Sequence, residues 1–182
     1  MIRDKALFIA SINETICADG LEAFLAHEGD SLDYFLHHER GASALAWCYE
    51  KGADVQEALA LTTSLPYLTL YAGATLTAPL LSEVVGGLCL YTGCSLTAPV
   101  LAEVVGGLTL YAGATLTAPL LAEVVGRLTL YAGATLTAPV LAEVVGRLTL
   151  SAGATLTAPL LSKVGGLTLS AGATLNAPML KR

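Results

Sequence analysis

From residue 67 onward the chain alternates apolar and polar side chains in short bursts. Leu128-Thr129-Leu130-Tyr131 sets Leu against Thr and Tyr, and Ala134-Thr135-Leu136-Thr137 sets small or apolar residues against Thr. Side chains of a strand point alternately to its two faces, so each burst predicts a short strand with its Leu and Ala turned inward. Ala132-Gly133 lies between the bursts and can turn the corner. Pro139 follows the second burst; it has no amide hydrogen and ends ladder pairing there. Val144, Val145 and Gly146 supply a last side and corner. Nothing between the corners is long enough for a helix, which needs about ten residues without a central proline or glycine. The candidate core of one such unit is Leu128, Leu130, Ala134, Leu136 and Val144.

The unit recurs. Residues 71–90 read YAGATLTAPLLSEVVGGLCL, residues 91–110 read YTGCSLTAPVLAEVVGGLTL, and 111–130 and 131–150 repeat the pattern nearly verbatim. Residues 151–169 are one residue shorter, with Val164-Gly165 in place of Val-Val-Gly, and residues 170–182 begin a sixth copy. A period of 20 with short strands predicts a solenoid of one coil per repeat, whose coils stack about 4.8 Å apart. Five to six coils make a rod roughly 25–30 Å long. Each coil buries its inward face only against its neighbours, so equivalent residues form ladders along the axis.

Residues 1–66 follow a different rule. Leu21, Phe24 and Leu25 have helical spacing; Asp30-Ser31 can cap a helix over 32–40, which Gly41 ends; further helices are expected over 43–51 and, capped by Asp54, over 55–63. The fold class expected is therefore α+β: a small N-terminal α-helical domain (1–66), then a parallel β-solenoid, or β-helix, of five to six 20-residue coils (67–182). The seam falls near Ser64, Leu65 and Pro66.

Composition sharpens this division. The chain is 54% hydrophobic but only 13% charged, against about 25% charged in ordinary soluble domains. Aliphatic ladders in a narrow interior account for the excess. Residues 1–66 carry 11 acidic and 4 basic residues, a net of −7, and residues 67–182 carry 4 acidic and 5 basic, a net of +1, which together give −6. The uncharged runs 84–102 and 104–122 are long enough to suggest membrane spans. Their proline, glycines and threonines argue against spanning helices, and no signal-peptide pattern opens the chain, so no membrane association and a cytoplasmic location are expected. The acidic head argues against direct nucleic-acid binding, which calls for basic surfaces.

The pattern V-x-G-x-L-x-L-x-x-x-A-x-L-x-A-P-x-L resembles short leucine-rich repeats and the related coils of receptor L domains, arrays that also occur in bacterial and phage proteins. The resemblance covers about 116 of the 182 residues. The usual Asn ladder is missing, with Ala114, Ala134 and Ala154 in that neighbourhood, which favours a compact β-helix over a horseshoe with helices. The resemblance implies a binding role, and with the small size and acidity it suits a phage or mobile-element product: an inhibitor of a host defence or host enzyme, of the anti-CRISPR or nucleic-acid-mimic kind.

Stacking turns each outward position into a column. Tyr71, Tyr91, Tyr111 and Tyr131, followed by Ser151 and Ser170, predict an aromatic stripe of the sort enriched at protein interfaces, or one whose rings simply support one another. Glu83, Glu103, Glu123 and Glu143, ending in Lys163, predict an acidic stripe splayed at a corner and relieved by Arg127 and Arg147. It serves either as a solvated edge or as a contact for a basic partner. With Asp30 and Asp33 of the head, these tyrosines and glutamates are the candidate protein-binding residues. Thr75/Thr77, Ser95/Thr97, Thr115/Thr117, Thr135/Thr137, Thr155/Thr157 and Thr174/Asn176 predict a flat array that resembles the ice-binding face of β-solenoid antifreeze proteins; the plainer reading is that Thr suits an exposed strand.

Leu169, Leu175, Met179 and Leu180 belong to the last coil and are the candidate dimerisation residues, since an uncapped coil exposes apolar side chains and unpaired backbone. Cys17, Cys48, Cys89 and Cys94 lack metal-ligand spacing and are expected to be free buried thiols. His37-His38-Glu39 points to different sides of a helix, so no metal site is expected. No Ser-His-Asp order, nucleophile elbow, phosphate loop or dinucleotide fingerprint occurs. The expectation is a non-catalytic binding protein, with no cofactor, a protein partner and a homodimer through the C-terminal coil; the alternative is ice binding through the Thr array.

Overall fold

The computed structural model describes residues 56–181, together with the helical pairs 25–26 and 44–45. A single helix turn-and-a-half, Gln56–Leu61, precedes the first strand, Ser64–Leu65. Thr62 closes this helix by donating its hydroxyl to the Ala58 carbonyl at 2.8 Å. The helix falls within the one expected over 55–63. Of the other helices expected in residues 1–66, only the pairs 25–26 and 44–45 are described, and both are helical; the remainder, and the expected N-terminal helical domain with it, lies outside the described residues.

Everything after the helix is a parallel β-solenoid of six coils. Its strands form three faces. The first contains Ser64–Leu65, Glu83–Val84, Glu103–Val104 and Glu123–Val124; the second Leu68–Leu70, Leu88–Leu90, Leu108–Leu110 and Leu128–Leu130. In the last two coils these faces are joined by continuous strands, Glu143–Leu150 and Lys163–Leu169. The third face is a six-stranded sheet of Thr75–Thr77, Ser95–Thr97, Thr115–Thr117, Thr135–Thr137, Thr155–Thr157 and Thr174–Asn176. Every pairing is parallel and sets a residue beside its own equivalent, for instance Leu128 beside Leu108 and Leu148. Six coils at about 4.8 Å span roughly 24 Å between the first and the last.

Three different corners close each coil. At the first, the Ala134 amide bonds the Tyr131 carbonyl at 2.9 Å and Gly133 has φ 70°. This is a type II turn, whose third position requires a positive φ and so takes glycine. At the second, the Leu141 amide bonds the Ala138 carbonyl at 3.0 Å around Pro139, with no positive φ outside glycine. Proline preset near −65° at the second position makes this a type I turn. The third corner has no turn of its own. Gly126 is laid directly on the backbone of the coil before, and a Cβ there would lie 2.2 Å from the Gly106 carbonyl oxygen. The one-residue deletion in the fifth repeat falls at this corner: the register shifts between Val144 and Arg147, opposite Gly165.

The core is a set of ladders. Leu128, Leu130, Ala134, Leu136 and Val144 are all fully buried, as their spacing predicts. Two further columns join them, Ala138 and Leu141 with their equivalents, both at the proline corner. At the N-terminal end Leu45, Ala58 and Leu59 are buried in the same cluster as Leu65 and Leu68. Among the described residues no helix is long and apolar enough to cross a membrane.

The corners generate a clear ranking of substitutions. Gly126→Ala pushes a methyl into backbone that cannot rotate away, and should cost at least about 2 kcal/mol of stability. Gly113→Ala meets nothing within 4 Å and is penalised only by its φ of 68°, for about 1–2 kcal/mol. Chemical denaturation of both variants measures the difference; equal losses would mean that the coils do not touch at the third corner.

Candidate functional site

The outward positions carry all the polar chemistry of the solenoid, and each face carries a different kind. Parallel in-register pairing forces this: an outward side chain meets only its equivalents one coil away.

The tyrosines stand at the end of the second face, just before the type II turn. Their rings are stacked nearly parallel. Centroids of Tyr71 and Tyr91 are 5.6 Å apart at 7°, those of Tyr91 and Tyr111 are 4.9 Å apart at 1°, and those of Tyr111 and Tyr131 are 4.9 Å apart at 11°. The ring spacing is the strand spacing, so the ladder is built by the backbone and each inner ring is held between two others. Tyr71, Tyr91 and Tyr131 are nevertheless exposed at one edge, and Tyr111 is half-buried. The rings therefore support one another, as one reading of this column expects, and leave an aromatic strip facing outward.

On the same face, two positions before each tyrosine or the serine that takes its place, runs the column Thr69, Cys89, Thr109, Thr129, Thr149 and Thr168. Cys89 corrects the expectation of buried thiols. It occupies a Thr position and is half-buried, whereas Cys94 replaces an inward alanine and is buried. The Cys94 thiol donates to the Tyr71 carbonyl at 2.8 Å, which lets a polar group sit in an alanine column. Both are free; Cys17 and Cys48 lie outside the described residues. Burial, and then the neighbouring Cys94, push the Cys89 thiol up from its ordinary pKa. The Tyr111 phenol is raised in turn, first by the negative charge Cys89 would carry, then by lost hydration, then by Tyr131 and Tyr91. Raised acids keep their protons to higher pH, so this part of the strip is neutral near pH 7.

Arg127 and Arg147 complete the second face and are exposed. They do not relieve the glutamates as the sequence spacing suggests. Four residues on from Glu123 and Glu143 the chain has passed the third corner, so the guanidinium groups project from the next face. Arg147 donates to the Thr168 hydroxyl at 3.4 Å instead.

The glutamates stand in the first face, in register, Glu83 beside Glu103 beside Glu123 beside Glu143. They open their strands, inside the ladder and not at a corner. Among the described residues the column has one ion pair, between Lys163 and Glu143 at its C-terminal end, and Ser64 donates to Glu83 at 3.4 Å at the other. The bond to Glu143 and its charge raise the pKa of Lys163. Asp30 and Asp33 lie outside the described residues.

The third face presents the Thr pairs in two columns, both outward of a buried Leu. None of these hydroxyls makes a hydrogen bond within the described residues. In the last coil, Leu169 is 47% and Met179 58% exposed, and Leu175 and Leu180 are half-buried. Among the described residues no group of three or more His, Cys, Asp or Glu is placed to hold a metal.

The link between Cys89 and Tyr111 can be read directly. In NMR of the chain labelled at tyrosine Cζ, Tyr111 should ionise above the ordinary phenol range, and Cys89→Ser should bring it down; an unchanged titration would mean the two groups do not interact. No family model, curated protein or solved structure matches the chain.

Proposed function

We propose that the chain is a non-catalytic binding protein whose second face, the tyrosine ladder with Arg127 and Arg147 beside it, engages another protein. The single observation carrying this is the stacking of four tyrosines at 4.9–5.6 Å with their outer edges exposed. Tyr and Arg are the residues most enriched at the energetic centres of interfaces. A side chain usually loses rotamer freedom when a partner immobilises it, at about 0.5–1.5 kcal/mol each. Here the neighbouring rings have already imposed that order, so the cost of binding is reduced before a partner arrives. The glutamate stripe on the adjoining face would then meet basic groups at the rim.

The likeness of the repeat to leucine-rich-like arrays of bacterial and phage proteins supports a binding role and a bacterial setting. In that setting the reading is an inhibitor that acts in the host cytoplasm by occupying a host enzyme or defence protein. The test uses the immobilised chain against bacterial lysate. A partner retained by the native protein should be lost by at least about thirtyfold from the double variant Tyr91→Ala, Tyr111→Ala, the loss expected for a hot spot of about 2 kcal/mol. Thr157→Ala, on the third face, should keep it. Equal retention by the native chain and the double variant removes the ladder from the interface.

A second reading is favoured by the third face, whose hydroxyls have no partner among the described residues. Two columns of Thr on a rigid parallel sheet form a planar lattice of hydroxyls and methyls, and a lattice can match ordered water in ice. Thermal hysteresis of the native chain, abolished by Thr115→Tyr with Thr135→Tyr and kept in Tyr111→Ala, is the expected result on this reading. A native chain without hysteresis eliminates it.

A further inference from the structure

We infer that the second face docks an extended acidic segment of its protein partner, one that carries aromatic side chains beside its carboxylates. The inference rests on the proposed binding role of the tyrosine ladder and names the chemistry the ladder would recognise.

Three observations carry it. The first is which part of the rings is offered. Tyr91 lies between Tyr71 and Tyr111, and Tyr111 between Tyr91 and Tyr131, at 4.9–5.6 Å, so the faces of these two rings are taken. Solvent meets their edges. An aromatic ring is negative on its faces and positive around its rim, so a ladder of edges is a weakly positive strip. The phenol hydroxyls are protonated at neutral pH and add hydrogen-bond donors to it. Edges and donors together select electron-rich groups: carboxylates, carbonyl oxygens and the faces of other aromatic rings.

The second is charge. The stretches that build this face, 67–71, 87–91, 107–111, 127–131, 147–151 and 166–170, contain two arginines and no Asp or Glu. Arg127 and Arg147 stand in neighbouring coils, since Leu128 pairs with Leu148. Two like charges so placed repel. Arg127 makes no hydrogen bond or ion pair among the described residues, and Arg147 makes only the bond to Thr168. The glutamate column belongs to the first face. The third is the ground between ladder and arginines. In the column of Arg127 the two preceding coils carry Gly87 and Gly107, both exposed. A Cβ on Gly107 would meet only the Arg127 carbonyl oxygen, at 3.7 Å, so the backbone does not demand glycine there. Beyond the half-buried Cys89 and Thr109, the face beside Tyr91 and Tyr111 therefore carries no side chain, and a chain lying against the ring edges can run on to the guanidinium groups.

These facts set the occupant. A single nucleic-acid strand would bring phosphates to the arginines, but its bases bind aromatic residues by stacking on ring faces, and those faces are taken. Two guanidinium groups one coil apart call for more than the single carboxylate of a chain terminus, so the anions are side chains. From Tyr91 to Arg147 the face runs three coils along the axis and four residues across, a diagonal of roughly 20 Å. A strand of about seven residues has that length, and its four side chains on one side recur about every 6.7 Å.

Fluorescence anisotropy of the 182-residue chain with the rhodamine-labelled, C-terminally amidated peptide Phe-Ser-Phe-Ser-Glu-Ser-Glu tests this. Binding in roughly the 10–100 μM range is expected for so small a contact, about tenfold tighter than for the peptide with Lys in place of both Glu. Arg127→Gln with Arg147→Gln should weaken it about fivefold, the scale of two exposed ion pairs, and remove most of its dependence on salt. Gly107→Glu should weaken it as well, since that carboxylate would stand one coil from Arg127 and compete with those of the peptide. Tyr91→Ala with Tyr111→Ala should abolish it. A native chain that binds the Lys peptide as tightly, or the Glu peptide not at all at about 1 mM, overturns the acidic partner, while the ladder is still judged by the lysate capture. So does an arginine double variant that binds like the native chain, and so does a thymidine decanucleotide bound more tightly than the Glu peptide. A tyrosine double variant that binds the Glu peptide unchanged removes the ladder, and both readings with it.

Discussion

A coil of this solenoid can be stable only if each of its side chains fits against a copy of itself about 4.8 Å away. Parallel in-register pairing imposes that condition on all positions at once, inward and outward. Inward, it selects Leu, Val and Ala, which nest on their equivalents at this spacing and fill a narrow interior. Larger rings would not, and among the described residues the aromatic column is outside, where stacked tyrosines meet the same spacing face to face. At the third corner the condition is harsher. The chain there lies so close to the coil before it that even one methyl group collides with backbone, and the position is glycine in each coil from the second onward, with Pro66 at the start.

The same condition explains how the fifth repeat loses a residue without losing the fold. Val164-Gly165 takes the place of Val-Val-Gly at a corner, between two ladders and inside neither. A deletion within the Leu-Thr-Leu or Thr-Leu-Thr strands would turn inward residues outward for the remainder of the coil. At the corner it changes only the path between faces, and the Leu and Thr columns resume in register at Leu167 and Thr168.

Much of the solenoid was legible because period and alternation are both local signals. Leu128, Leu130, Ala134, Leu136 and Val144 could be placed inward from four-residue patterns alone. Ala138 and Leu141 could not, since Pro139 interrupts the alternation between them and hides which way the chain faces afterwards. Their signal was in the repeat instead: the position of Leu141 is Leu in six consecutive units, while the position before it varies among Leu, Val and Met. Arg127 and Arg147 were misplaced for a related reason. Spacing of four suggests one face only on a helix, and here a corner intervenes. Cys89 could have been placed correctly by register, because it occupies the position held by Thr109 in the next coil. The helices expected before residue 55 differ in kind, since capping signals and amphipathic spacing suggest elements without saying how they assemble, and nearly all of them lie outside the described residues.

Because the core requires nothing of the outward columns beyond tolerating their own copies, these columns are where recognition can be built without cost to the fold. Their chemistry is not what stability alone would select. Stacked glutamates repel, yet four occupy adjacent coils with a lysine only at the end. Threonine is an ordinary strand residue, but hydroxyls with no partner among the described residues gain no hydrogen bond from them by being paired in two columns. The tyrosines contribute to stability, through ring contacts worth about 0.5–1.5 kcal/mol each, and combine that with an exposed aromatic edge. The ladder also stops short of the rod: Ser151 and Ser170 replace tyrosine in the last two coils although the backbone there would carry it equally well. A column kept only for stacking would have no reason to end. A strip confined to the coils of Tyr71, Tyr91, Tyr111 and Tyr131 has the bounded length that the proposed contact surface calls for.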